Sequence, residues 1–353
     1  MCFSPMRVRS VAAVFPKSKG ADMKKTLVLA ASVMAAGLLL TACGASPNAR
    51  PDDGDSPSDA PAELVFAVVP TDDSEELENS FLPLVAAIEE TTGIPTRIEA
   101  VSSNAGVIEA QVAERVDIAT YGAFSYYLAA DVADVEPIAK DQRTPEAGSG
   151  AVNSVGVVAP GSDISSIEDV AGKNVCFTDP ASTTGYLTAA AAMTEAGMDP
   201  ESDINPLFVG SHDVAVTQML AGDCDIAFVA ETFVTTILPD RGIIAEGDTE
   251  TVWTSDPIPG TPIVVGTWLD EKLRDQIVTA VTEYNAVSAS EAGLCEEQNR
   301  EAPAEWGEEF AGKTACKWGG TGAFAFEPAT ASDYEVISAI CQTLKTDVCR
   351  GEE

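Results

Sequence analysis

Histidine is almost missing from this chain: His212 is the single one in 353 residues. A metal centre or a base built from several imidazoles has no material here, and no Cys-x-x-Cys pair offers thiolate ligands instead. Neither a metal nor a cofactor is therefore expected. Basic residues are also scarce, 20 Lys and Arg against 56 Asp and Glu, for a formal net charge of −36. Such a surface repels polyanions, which excludes nucleic acid as a partner. Acidity of this kind argues for solubility and leaves the choice of a small ligand open. Long apolar runs are lacking as well, since the stretch from Leu27 to Leu40 is too short for a comfortable membrane span.

That stretch has a different reading. Met23-Lys24-Lys25 precedes it and Leu40-Thr41-Ala42-Cys43 follows, the order of a secretory leader with a lipobox-like end. Residues 1–43 are read as a signal peptide and Cys43 as the lipidated first residue of an exported protein, held on the outer face of the cell membrane. Residues before Met23, Cys2 among them, show no structural pattern, so translation starts at Met1 or at Met23. Residues 44–61, "GASPNARPDDGDSPSDAP", are rich in Pro, Asp, Ser and Gly and are read as a disordered tether. Without residues 1–43, which carry six basic residues and Asp22, the remainder stands near −41.

Six cysteines remain, at 176, 224, 295, 316, 341 and 349. An even number in an exported chain suggests disulfides, with about 15 possible connectivities. The expected pairing is Cys176 with Cys224 across neighbouring strands, and Cys295 with Cys316 and Cys341 with Cys349 as local loops.

From residue 63 the pattern alternates. "ELVFAVV" reads as a strand, Leu77 to Ile88 as a helix stopping at Gly93, "TRIEAV" as a strand, "SSNAGVIEAQVAERV" as a capped helix and "VDIATYG" as a third strand. This rhythm predicts an α/β fold with a parallel sheet. A second set follows, with strands at "KNVCFTD", "PLFVG" and "CDIAFVA", and "VDIATYG" echoes "CDIAFVA". Two α/β lobes are expected: residues 62–152 with 255–353, and residues 153–254, joined by hinge crossovers. Further helices are expected near 270–288 and 331–346. Open α/β sheets bind ligands at the carboxyl ends of their strands, so both lobes would face a shared cleft.

The chemistry concentrates at "DPASTTGYL". A helix starting near Thr184 or Gly185 leaves backbone N–H groups unpaired and adds about half a positive charge, a setting suited to an oxyanion. One hydroxyl suffices for a cap; Ser182, Thr183 and Thr184 in a row, before a glycine that lets a ligand approach, exceed that need. His212 opens another helix beside Asp213. Tyr121 ends a strand, as a donor or as an aromatic anchor.

"DPASTTGYL", "GSHDVAVTQMLAGDCDIAF", "VDIATYGAFSYYLA" and "IPGTPIVV" together resemble the substrate-binding proteins of phosphonate, phosphite and phosphate importers of the ATP-binding-cassette type, over residues 62–290. The resemblance implies a two-lobed periplasmic-binding-protein type II fold that closes on its ligand, a monomer serving a permease and its ATPase. It implies that Ser182, Thr183, Thr184, His212 and Tyr121 hold the ligand's oxygens. Thr261 stands where the family's binders of aminoalkyl phosphonates carry an acid, and Asn104 stands where they carry a tyrosine. Glu231 or Thr232 falls at a second amine-side position. Without its acid an ammonium would be desolvated unpaired, which favours phosphite, phosphate or a small alkylphosphonate. The alternative is a hydrolase of phosphate or phosphonate esters using a Ser182–His212 dyad, for which no third orienting residue is evident. A non-enzymatic carrier is the expectation.

Overall fold

The computed structural model describes residues 60–69, 79–295, 299–320, 322–344 and 349. The leader, Cys43 and the tether up to residue 59 lie outside the described residues, as does Leu77 of the first expected helix. No described helix is long and apolar enough to cross a membrane.

β1 (Leu64–Val68) is buried on both faces, as a continuous apolar run should be when helices cover a sheet. α1 (Leu82–Thr92) ends at Gly93, whose left-handed φ of 70° lets its N–H reach Glu89 O. β2 (Thr96–Ala100), α2 (Asn104–Val112), β3 (Ile118–Thr120), α3 (Ala123–Val132) and β4 (Val135–Gln142) follow. Ser103 caps α2 by accepting from Gly106 N at 3.2 Å. The chain then crosses to β5 (Ser154–Val158), β6 (Asn174–Phe177), a wide π turn (Thr183–Leu187) running into α4 (Thr188–Glu195), β7 (Asn205–Phe208), α5 (His212–Ala221), β8 (Ile226–Ala230) and β9 (Glu250–Thr254). It returns through β10 (Pro262–Gly266), α6 (Glu271–Thr282), α7 (Ala286–Glu291), the β11 (Asn299–Glu301) and β12 (Thr314–Cys316) hairpin, β13 (Ala325–Pro328) and α8 (Glu335–Leu344).

Two large sheets result, ordered β13-β4-β10-β3-β1-β2 and β7-β6-β8-β5-β9, beside the two-stranded β11-β12 pair. The parallel expectation holds for β2-β1-β3 and for β7-β6-β8. Both sheets are nevertheless mixed. β5 and β10, the first strands after each crossing, insert antiparallel beside β8 and β3. Each sheet thus receives an antiparallel strand straight from a crossover, and the crossovers meet: Val152 and Ile258 exchange backbone hydrogen bonds of 2.9 and 2.8 Å.

The helix expected over 270–288 is two helices, because the Asn285 side chain accepts from Val287 N and Ser288 N while Ser288 Oγ accepts from Asn285 N. Over 331–346 a 3₁₀ turn (Ala331–Tyr334) precedes α8. α8 packs on α4 and α3, with Ile337, Cys341 and Leu344 in an apolar cluster that includes Val65 of one sheet and Val175 of the other. Disulfides join Cys176 to Cys224, Cys295 to Cys316 and Cys341 to Cys349.

Candidate functional site

A cavity of about 130 Å³ lies where the two sheets face each other. It is slightly smaller than the roughly 150 Å³ that accommodates a benzene ring, so only a compact ligand fits. Asn104, Tyr121, Ser182, Thr183, Thr184, His212 and Thr261 all line it. Thr232 lines it, whereas Glu231, the other residue expected at that position, does not. The cavity collects the beginnings of α2, α3, α5 and the π turn, whose first amides lack intrahelical acceptors and carry partial positive charge.

The turn after Asp179 is built by local bonds. Asp179 Oδ1 accepts from Ala181 N at 2.7 Å, and Ser182 Oγ accepts from Gly185 N at 3.0 Å. Leu187 N then reaches back five residues to Ser182 O, which makes the turn a π turn, a form that recurs at functional sites. Ser154 Oγ donates to Thr184 O at 2.6 Å and ties the turn to β5. Thr183 points the other way: its Oγ1 accepts from Phe124 N at 2.8 Å, so the turn of the second sheet docks on the start of α3 of the first. Gly122 permits this approach, since a Cβ there would sit 3.0 Å from Thr183 Oγ1. The two halves are thus in direct contact at the edge of the cavity.

Gly185 serves a purpose different from the one expected. A Cβ on it would lie 1.9 Å from Thr178 Oγ1, so its missing side chain makes room for a buried threonine. Close packing of the turn on the end of β6, and not ligand access, demands the glycine.

His212 is buried, with its ring stacked on Phe233 at 4.5 Å between centroids. Its Nδ1 accepts from Ala230 N at 3.2 Å. Burial pushes its pKa down to about 4, against a smaller upward pull from Asp213. The ring is thus neutral near pH 7, and with Nδ1 occupied the proton sits on Nε2. No lone pair remains to take a proton from a serine, so the dyad a hydrolase would need is not assembled here.

These bonds share one logic. Ser182 Oγ, Thr183 Oγ1 and His212 Nδ1 each commit a lone pair to a backbone amide, and each residue keeps a hydrogen to donate. An oxyanion, whose oxygens accept, is the complementary ligand. Tyr121 is the exception. Its hydroxyl hydrogen is committed to Gln111 Oε1 at 2.8 Å. Burial raises its pKa, and it contributes its ring to the wall.

Of the polar residues on the wall, Thr178 and Arg143 escaped the sequence reading, whereas Thr232 did not. Thr178 Oγ1, Thr232 Oγ1 and Arg143 Nε are buried, lack a hydrogen-bond partner and belong to residues lining the cavity. Leaving such groups unpaired costs about 1 to 3 kcal/mol each, and a ligand can recover that cost. For Thr178 the available signal was its place one residue before Asp179, at the end of β6. Arg143 had only its scarcity as a cation in an acidic chain.

Comparison with known proteins supplies the remaining context. A family model described as an ABC transporter, phosphonate, periplasmic substrate-binding protein matches residues 66–305. The "Phosphate-import protein PhnD" of Mycolicibacterium smegmatis is 30% identical over 336 residues, covering 92% of this chain and 98% of the relative. Among solved structures, a binding protein component of an ABC phosphonate transporter from Pseudomonas aeruginosa has a TM-score of 0.65 at 20% identity, covering 81% of this chain and 87% of that one. PhnD1 from Prochlorococcus marinus in complex with methylphosphonate also has a TM-score of 0.65, at 16% identity, covering 81% and 99%. These two structures are similar in fold, that of the type II periplasmic binding proteins.

Proposed function

The chain belongs to the phosphonate family of periplasmic substrate-binding proteins of ABC transporters, and from that premise we propose that its cleft captures phosphate, phosphite or a short alkylphosphonate and passes it to a membrane permease with its ATPase. The observation that carries this reading is that Ser182, Thr183 and His212 all line the cavity and each accepts from a backbone amide, which leaves each a hydrogen to donate. Thr184, Asn104 and Thr261 complete the polar wall. Net acidity does not oppose capture. Surface carboxylates beyond about 10 Å are screened at ordinary salt, whereas donors at about 3 Å act directly in a closed cleft.

Binding without chemistry is part of the proposal, as the occupied Nδ1 of His212 removes the Ser182–His212 dyad. Residues 62–152 with 255–353 act as one lobe and 153–254 as the other, hinging beside the Val152–Ile258 pair. Calorimetry of the purified protein against phosphate, phosphite, methylphosphonate and 2-aminoethylphosphonate tests the reading. One of the first three is expected to bind at least tenfold tighter than the aminoalkyl compound, with no phosphate released from the phosphonates. Turnover, or no binding to any of them, would refute it.

The protein is exported, as its family is, and we propose that it is tethered as a monomer through lipid on Cys43 and the 44–61 segment. Cys43→Ala is expected to move the protein from the membrane fraction to the soluble exported fraction. Unchanged membrane retention of that variant would remove the anchor from the account.

A further inference from the structure

Arg143 follows β4 at the first crossover, and it is the single Lys or Arg among the described residues lining the cavity. Its backbone is clamped from both sides. Arg143 N donates to Ser149 Oγ at 3.1 Å, and Arg143 O accepts from the indole N–H of buried Trp306 at 2.8 Å. Its Nε is buried, makes no hydrogen bond and is paired only electrostatically, with Asp141. The carboxylate facing it, Asp141, stands 3.7 Å away through Oδ2. That separation is beyond hydrogen-bond reach. Asp141 Oδ1 is already taken by Thr261 N at 2.6 Å. Asp179, the sole carboxylate on the described wall, has one oxygen committed to Ala181 N. A cation is therefore held at the hinge side of the cavity with donor capacity to spare. The π turn and His212 follow β6 and β7 of the other large sheet.

Resting on the oxyanion reading above, we propose that Arg143 determines which oxyanion the protein prefers: its guanidinium takes the fourth substituent of the phosphorus centre and selects oxygen, hence phosphate, over the hydrogen of phosphite or the methyl of methylphosphonate. A guanidinium only donates. Facing P–H or P–CH₃ its donors find no acceptor on the ligand, whereas a fourth oxygen accepts from it in a charge-assisted bond. The same charge repels an ammonium group, so Arg143 works in the same direction as the missing acid at Thr261.

Calorimetry with the purified protein tests this. The unsubstituted protein is expected to bind phosphate at least tenfold tighter than phosphite or methylphosphonate. Arg143→Met should weaken phosphate about 30-fold while changing the other two less than about threefold, so the preference collapses. Arg143→Lys, which keeps the charge, should keep the order of preference. Equal losses for all three ligands in Arg143→Met, or an unchanged ratio, would overturn the assignment while leaving the oxyanion reading intact. Should Arg143→Met fail to fold, the unsubstituted protein still decides: phosphite or methylphosphonate bound as tightly as phosphate refutes the proposal. If the unsubstituted protein binds none of the three, the oxyanion reading itself fails.

Discussion

Replacing Gly185 with alanine is expected to lower the stability of the protein by about 2 to 3 kcal/mol and to abolish ligand binding, although Gly185 does not line the cavity. The added methyl carbon would lie 1.9 Å from Thr178 Oγ1, 2.7 Å from its Cγ2 and 2.8 Å from its Cβ. Thr178 is buried at the end of β6 and cannot swing clear, and its backbone is engaged at both ends, N to Gly185 O and O from Gly210 N. The clash must therefore displace the turn. That movement carries Ser182 off Gly185 N, Thr183 off Phe124 N and Thr184 O off Ser154, so the donor array and the contact between the sheets are lost together. Thr178→Gly in the same chain removes all three contacts. The double variant should recover to within about 1 kcal/mol of Thr178→Gly alone, a coupling expected of residues in contact. Denaturant unfolding read alongside calorimetry measures both effects. A Gly185→Ala protein with native stability and native affinity would show that the turn has slack the geometry denies.

The contrast between what that turn looked like in sequence and what it does in space marks how far the sequence could be read. Its hydroxyls, its glycine and the helix after it were evident from local spacing, as were β1, β2, β3, β6 and β8, which are short apolar runs with helices between them. Ser182 as a cap was legible because capping is a contact over three residues. The partner of Thr183, Phe124, lies 59 residues away on another sheet, and no local pattern encodes it. β4 was missed for a related reason: "VEPIAKDQ" holds a proline and three charged residues, since it pairs with β10 and β13, more than a hundred residues later, and runs to the hinge where polar groups are useful. Arg143 lies just beyond that strand and shared its obscurity. Tyr121 was placed correctly on the wall, yet the direction of its hydroxyl depends on Gln111, buried in α2.

His212→Gln should weaken capture of the preferred oxyanion by about 2 to 3 kcal/mol, roughly 30- to 150-fold, because it removes the ring fixed between Ala230 N, Phe233 and the cavity. The same variant carries a second signature that a merely displaced loop would not produce. In the folded protein burial holds the His212 pKa down at about 4, against an ordinary value of 6.5. Between those values the unfolded chain binds a proton that the folded one refuses, so the stability due to this group is present above pH 6.5 and drains away as pH falls toward 4. The loss approaches about 3 kcal/mol at the lower end, at about 1.4 kcal/mol per unit. Asp141 works in the opposite sense. Its pKa is raised to about 6, chiefly by burial and against the pull of Arg143, so it favours the folded state in acid and loses that contribution as pH rises through 6. The two cancel in part in the unsubstituted protein and hide each other in a simple melting profile. Comparison with His212→Gln removes the carboxyl from the difference. Relative to the unsubstituted protein, the variant should gain about 2 to 3 kcal/mol in unfolding free energy between pH 7 and pH 4. A stability difference that stays flat across that range would mean that the imidazole is open to water, and with it the case for a neutral, inward-anchored donor would fall.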